Sequence, residues 1–319
     1  MTSEHTECDH MPPGSKSSGK SRIIRHDVLC IGAASWDITL AVSGHPGADE
    51  KTTARSMTSC GGGPAATAAV TVSRLGLAAG FIGCLGHDAF GDAHLEDLES
   101  AGVDTRWVQR GSTATPLSVV LVKPGGHRTV IAHTPPDTAV PEDTLLAGDF
   151  APGILLMDGH QPLVSGPFVR HARKNGIPVI LDAGSVHDGT RRLFDHADFL
   201  IASLKFAVEW TGRPDADAAL AILGAQHPCV VITLGEKGLV WRRGSERGSL
   251  PAFPVDTVDT TGAGDVFHGA FAAALHMKMD WAVCLRFASA AAALACTRTG
   301  ARNGIPHLAD VEGFLRERA

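Results

Sequence analysis

The sequence predicts an α/β fold: a central, mostly parallel sheet flanked by helices, with a small β lid. Two observations lead there. Short apolar runs ending on Gly or Asp alternate with helix-length segments along most of the 319 residues, the pattern of parallel strands covered on both faces. Two stretches break that rhythm. Thr52 to Ser59 and Leu117 to His133 read as short extended pieces, the second with a Gly125-Gly126 turn suited to a hairpin. A lid over the C-terminal edge of the sheet accommodates both, and open α/β sheets bind ligands at that edge.

Taken in order, residues 1–25 are polar and rich in Ser, Gly, Lys and His, and are expected to be a disordered tail before one domain spanning 26–319. His26 to Gly32 is a buried strand ending on Gly. Pro64 to Leu75 starts with Pro and stops at Gly76, as a helix does. Gly80 to Cys84 is a strand; Asp88 to Ser100 is a helix with Leu95 and Leu98 on one face. Ile154 to Met157 is a strand, Pro167 to Lys174 a helix, and Pro178 to Leu181 a strand ending at Asp182. Phe199 to Ala202 is a strand, Asp215 to Gln226 a helix, and Cys229 to Leu234 a strand before Gly235. Helices Asp280 to Cys296 and Leu308 to Glu317 close the chain. The lid strands are expected within 39–59 and 115–134.

Bulk properties narrow the function. A 44% hydrophobic content supports a sizeable core, and a net charge of −6 without a basic cluster argues against a nucleic-acid partner. No apolar run reaches membrane-spanning length and the N-terminus lacks a signal pattern, so a soluble, cytoplasmic protein without membrane partners is expected. Seven cysteines, an odd number with no C-x-x-C pair, fit a reducing compartment. Sixteen scattered histidines without an H-E-x-x-H pattern give no zinc motif.

Four motifs carry chemistry. Asp259-Thr260-Thr261-Gly262-Ala263-Gly264-Asp265 runs into the helical pattern Val266-Phe267-His268-Gly269-Ala270-Phe271. Small residues at a helix N-terminus expose unpaired N–H groups and make an anion site. An acid on its rim makes sense as the base for the group that attacks the anion, which is the layout of phosphoryl transfer. The competing reading is a tight turn with Asp265 as a cap. Gly61-Gly62-Gly63-Pro64-Ala65-Ala66-Thr67-Ala68 is a Gly-rich turn before a helix, open to a ligand. Val231-Ile232-Thr233-Leu234-Gly235-Glu236-Lys237-Gly238 leads a strand into a Gly-bounded turn that can offer amides to phosphate or be an ordinary strand exit. Asp37, in Ala34-Ser35-Trp36-Asp37-Ile38, can accept from sugar hydroxyls or be a turn acid.

Along the chain they occur as Asp37, the Gly61–Gly63 turn, the Thr233–Gly238 turn and then the heptad ending in Asp265, and in that order the four motifs resemble those of the ribokinase-like, or PfkB, family of carbohydrate kinases, over roughly residues 26–317. The resemblance implies an ATP-dependent phosphotransferase. Asp265 would be the base, with the amides of Gly262, Ala263 and Gly264 around the transferring phosphoryl. Asp37, Gly61, Gly62 and Gly63 would hold the sugar, and Thr233, Gly235 and Gly238 would line the nucleotide site. Mg²⁺ would accompany ATP, and K⁺ would sit at Asp259, Thr261, Ala295, Arg298, Gly300 and Gly304. It also implies a sugar as the small-molecule partner and a homodimer formed through the lid.

Within the family, the chain resembles the sulfofructose kinase branch in its Gly61–Ala69 and Asp265–Ala270 segments and from Cys296-Thr297-Arg298 through Gly304-Ile305-Pro306. Ala66 stands where ribokinases have Asn. The implied substrate is a ketohexose-like sugar with a primary hydroxyl, 6-deoxy-6-sulfofructose included. Of the three sulfonate anchors of that branch, Lys51 remains; Ala132 falls on the Asn position and His160 on the Arg position, where a neutral polar lining residue is the favoured reading. The family's Asn-x-x-Glu is replaced by Ser203 and Phe206, with Glu209 off register. Fructose, ribose or a nucleoside are alternative substrates, and a non-catalytic sugar- or nucleotide-binding relative is the alternative of another class. An oxidoreductase is disfavoured because Gly32-Ala33-Ala34-Ser35 lacks Gly-x-Gly-x-x-Gly.

Overall fold

The computed structural model describes residues 23–136 and 138–318. Of the expected tail, residues 1–22 lie outside the described residues. Ile24 is already part of the fold: its N–H donates to Asp149 O and its carbonyl accepts from Ala151 N, both at 2.8 Å.

Eight strands form the main sheet, in the order Glu246–Leu250, Leu239–Arg243, Cys229–Thr233, Phe199–Ser203, Val179–Ala183, Ile154–Met157, Val28–Ile31, Ala79–Ile82. The last six are parallel, as the alternating pattern predicts. The first two are an antiparallel edge hairpin that the alternation does not predict, because its apolar run is only Leu239-Val240-Trp241 and the partner strand, Glu246–Leu250, is mostly polar. Side chains alternate across the strands and feed two cores. Val28 and Cys30 face helices Pro64–Arg74, Ala263–His276, Trp281–Ala295 and Leu308–Arg316, whereas Leu29 and Ile31 face Pro162–Asn175, Leu204–Thr211 and Ala216–Gln226.

Local chemistry sets most helix starts. Asp88 accepts from Gly91 N, Asp215 from Ala218 N and Ser203 from Phe206 N, each as an N-cap. Pro162, not Pro167, occupies the first turn of the Pro162–Asn175 helix, so that helix begins five residues before its expected start.

The lid is a four-stranded sheet in the order Ser56–Gly62, Ser35–Ala41, Leu117–Val122, Arg128–His133. The Leu117–Val122 and Arg128–His133 strands lie within the expected 115–134, whereas Ser35–Ala41 and Ser56–Gly62 overrun the expected 39–59. Asp37 therefore lies within a lid strand, and Gly61 and Gly62 end another rather than forming an open turn. Cross-strand register places Asp37, Ser118, Ala132 and Cys60 on one face, and Trp36, Leu117, His133 and Gly61 on the other.

Candidate active site

The functional candidates gather at the C-terminal edge of the parallel strands, under the first of those lid faces. Gly262 has φ +76° and caps the Ala263–His276 helix, and a Cβ on it would approach Ala301 O to 2.9 Å. Its glycine is thus demanded by the backbone. Gly264 is different: it is exposed and a Cβ would meet nothing within 4 Å. The Ala263 amide turns back to Thr260 O at 3.3 Å, while the N–H groups of Gly262, Gly264 and Asp265 have no acceptor among the described residues. Of the three amides expected around an anion, those of Gly262 and Gly264 are therefore free and that of Ala263 is engaged, while Asp265 offers a further free amide.

Asp265 is half-buried in the first helical turn beside these N–H groups. Loss of hydration, then the neighbouring Asp182, push its carboxyl up to about 7, against the pull of His268 and Arg128. Arg128 arrives from the lid, where its guanidinium donates to Thr260 Oγ1, and Thr260 Oγ1 also bonds Gly126 O at 3.4 Å. The lid tip thus rests on the heptad.

Asp37 is 6% exposed, and Ser35 Oγ donates to it at 2.9 Å. Burial raises its pKa despite the Ser35 and Ser118 hydroxyls. The three glycines of the second motif are each fixed by packing. A Cβ on Gly62 would lie 2.2 Å from Asp37 Oδ2, one on Gly61 2.2 Å from Arg302 Nη1, and Gly63 has φ +88° against Ala33 O. Arg302, unremarked in the sequence, is fully buried; its Nη1 donates to Asp97 Oδ2 at 2.6 Å and its Nη2 to His94 Nε2 at 3.0 Å. It braces the Ser56–Gly62 strand from behind.

Asp158 is a second residue the motifs did not expose. Its carboxylate accepts from the N–H groups of Ala33 at 2.8 Å, Ala65 at 3.1 Å and His160 at 2.8 Å, tying the first strand exit to the Pro64–Arg74 helix. Gly32 is required there, since a Cβ would fall 2.1 Å from Asp158 Oδ1. The His160 ring lies 3.3 Å from Asp158 and is held up to about 9, mainly by that charge. That charge favours the imidazolium of His160 over the neutral ring. His187 packs on it with ring centroids 4.4 Å apart. Lys51 sits exposed between lid strands with no ion pair among the described residues. Ala132 is on the site face of the lid, and His133 is on the opposite face.

Asp259 is 1% exposed; it accepts from Thr261 N at 2.9 Å, Thr261 Oγ1 at 2.6 Å and Gly300 N at 2.9 Å. Gly304 packs on the Ala295 carbonyl, 2.1 Å from a Cβ placed there. The structure thus brings together Asp259, Thr261, Gly300, Ala295 and Gly304, a set of hard oxygens and close backbone suited to a monovalent cation. Arg298 is exposed on the same loop. Thr233 ends its strand and Gly235 (φ +62°) faces open space. Gly238 is instead committed to the edge hairpin, 2.0 Å from Leu250 O for a Cβ. Ser203 Oγ donates to Gly184 O at 2.9 Å and Phe206 is fully buried, so this segment supplies no carboxylate to a metal.

A half-buried carboxylate beside free helical amides, with a buried carboxylate in the lid above, fits proton abstraction and phosphoryl transfer. Residues 25–308 match the pfkB family carbohydrate kinase. The chain belongs to that family. It is a carbohydrate kinase, a phosphotransferase with an alcohol acceptor. Similar proteins include the ribokinase of Bacillus subtilis (strain 168), 29% identical over 91% of this chain and 99% of that one. The ATP-dependent ribose-1-phosphate kinase of Halopiger xanaduensis is 32% identical over 91% and 98%. The structure of Arabidopsis thaliana ribokinase complexed with ribose and ATP superimposes with a TM-score of 0.78 at 27% identity, covering 92% and 99%. These confirm the ribokinase-like fold; they give the kinase's expected sulfofructose branch no support.

Proposed function

We propose that this kinase transfers the γ-phosphoryl of ATP to a primary hydroxyl of a pentose or ketohexose, with Asp265 as the base. The observation that carries this is the Asp265 carboxyl set among the free N–H groups of Gly262, Gly264 and Asp265, with the proton affinity of a base that works near neutral pH. Asp37 accepts from the sugar hydroxyls, orienting the attacking oxygen toward Asp265. Thr233 and Gly235 line the nucleotide side. Mg²⁺ would arrive with the phosphates and neutralise their charge; no side chain of the Ser203–Phe206 segment fits it. K⁺ would be held by Asp259 and neighbouring carbonyls, stabilising the loop that leads to the amides.

The cationic His160, anchored on Asp158 and partly exposed in the same cleft, supports a sugar bearing an anionic substituent, phosphate or sulfonate. Coupled assays with ATP and ribose, fructose, ribose 1-phosphate, 6-deoxy-6-sulfofructose and a nucleoside test this. The expected result is turnover of at least one sugar, with an anionic sugar preferred by about 10-fold or more in kcat/KM. Equal rates for the neutral counterparts contradict the role of His160. ATP binding without turnover of any of them supports the non-catalytic alternative.

The outer lid face supports a homodimer. Ile38, Leu40, Val119, Leu121 and Ile131 share it with Met57; Ile131 is 63% and Met57 68% exposed. An apolar stripe on a sheet face turned away from its own core fits a second copy of the same lid.

A further inference from the structure

We propose that Asp182 carries a proton that it donates to His268, and that this keeps the adjacent Asp265 free to ionise as the base. Asp182 lies near the end of the Val179–Ala183 strand, 4% exposed; His268 is one helical turn beyond Asp265, also 4% exposed. One carboxylate oxygen from each acid and one ring nitrogen of His268 all lie within 4.8 Å of one another. Nothing in the expected mechanism uses Asp182 or His268.

Hydrogen-bond chemistry places the proton. His268 Nε2 is 3.3 Å from Ile201 O. A carbonyl only accepts, so Nε2 bears the hydrogen. In a neutral ring Nδ1 is then a bare acceptor; it lies 3.3 Å from Asp182 Oδ2, and the ring also borders the Gly264 carbonyl, which can only accept. Two acceptors face each other stably only with a proton between them. Burial disfavours the imidazolium and lowers the His268 pKa, whereas burial and then Asp158 raise Asp182 to about 8. Asp182 therefore holds the proton.

The consequence falls on Asp265. The charged groups around the pair are Asp158 and His160 beyond the Ile154–Met157 strand, Asp37 and Arg128 from the lid, and His268 on its own helix. An ionised Asp182 would add a like charge beside Asp265 and hold its proton on. A neutral Asp182 removes that charge, and two coupled carboxyls share one negative charge near neutrality. Asp182 and His268 are positioning residues, since neither is required to touch substrate.

The kinetic arm of the test rests on Asp265 being the base; the spectroscopic arm does not, so the two readings fail separately. Infrared difference spectra of the full chain, wild type minus Asp182→Asn at neutral pH, should show a protonated-carboxyl stretch. A carboxylate signal in its place overturns the proposal. In His268→Asn the amide donates to residue 182 and favours its anion. The acid limb of kcat/KM against pH, measured with ATP and the best sugar of the panel, should move up by about one pH unit, while Asp182→Asn leaves the limb at or below the wild-type position and never raises it. An equal loss at every pH in both variants, or a His268→Asn profile that superimposes on wild type, contradicts it. If either variant fails to fold, carbon-13 NMR of Asp-labelled wild type decides: a protonated buried carboxyl besides Asp265 at neutral pH is required.

Discussion

Asp265 and Gly264 show how one turn of helix is divided between chemistry and packing. Gly262 is held by its φ of +76°, but Gly264 borders open space. Gly264→Ala should therefore fold, with helix propensity favouring the variant by up to about 1 kcal/mol. Its new methyl would stand where the phosphoryl passes. We expect an unchanged or raised Tm with a fall in kcat of at least about 10-fold, read by thermal melts and steady-state kinetics. The pH dependence follows from the sign of the Asp265 shift. A base acts when ionised, so kcat/KM rises with unit slope as pH increases toward about 7 and levels above it. A limb at the ordinary carboxylate range would show that Asp265 is unperturbed in the working enzyme. The heptad was legible because its chemistry is local to seven residues. Asp158, Asp182, His268 and Arg302 were not, because each acts on a segment brought near only by folding; Arg302 meets Asp97 across 205 positions of sequence.

The lid shows where element limits escape a sequence reading. The hairpin through Gly125-Gly126 is visible in its turn residues. The continuation of a strand through Gly61 and Gly62 is not, because glycines normally mark strand exits. What fixes them is a neighbour: Asp37 fills the space a Gly62 side chain would need. Gly62→Ala should displace the Asp37 carboxylate and raise the sugar KM by about 10-fold or more, with the ATP KM little altered. The outer face makes a separate prediction. Ile131→Asp places a charge in the proposed lid–lid contact, so light scattering should show a monomer where wild type is a dimer. A wild-type monomer would contradict that contact.

Over the whole chain, the parallel core and its two-sided packing follow from alternating apolar strands and helices. The antiparallel edge hairpin does not, since its apolar signature is confined to Leu239-Val240-Trp241 and ends at Arg242 and Arg243. The sheet gathers Asp158, His160, Asp182 and Thr233 at one edge from separate strands, and the lid brings Asp37 and Arg128 over them. The membrane question has a limited answer: no helix among the described residues is long and apolar enough to cross one. The central claim is that Asp265 takes the proton from the acceptor hydroxyl. Asp265→Asn keeps the size and the helix start while removing the base, so kcat with ATP and sugar is the decisive measurement, paired with calorimetric ATP binding. The account predicts a fall of about 10²- to 10⁴-fold in kcat with ATP affinity retained; near wild-type kcat in a variant that binds ATP normally would contradict it.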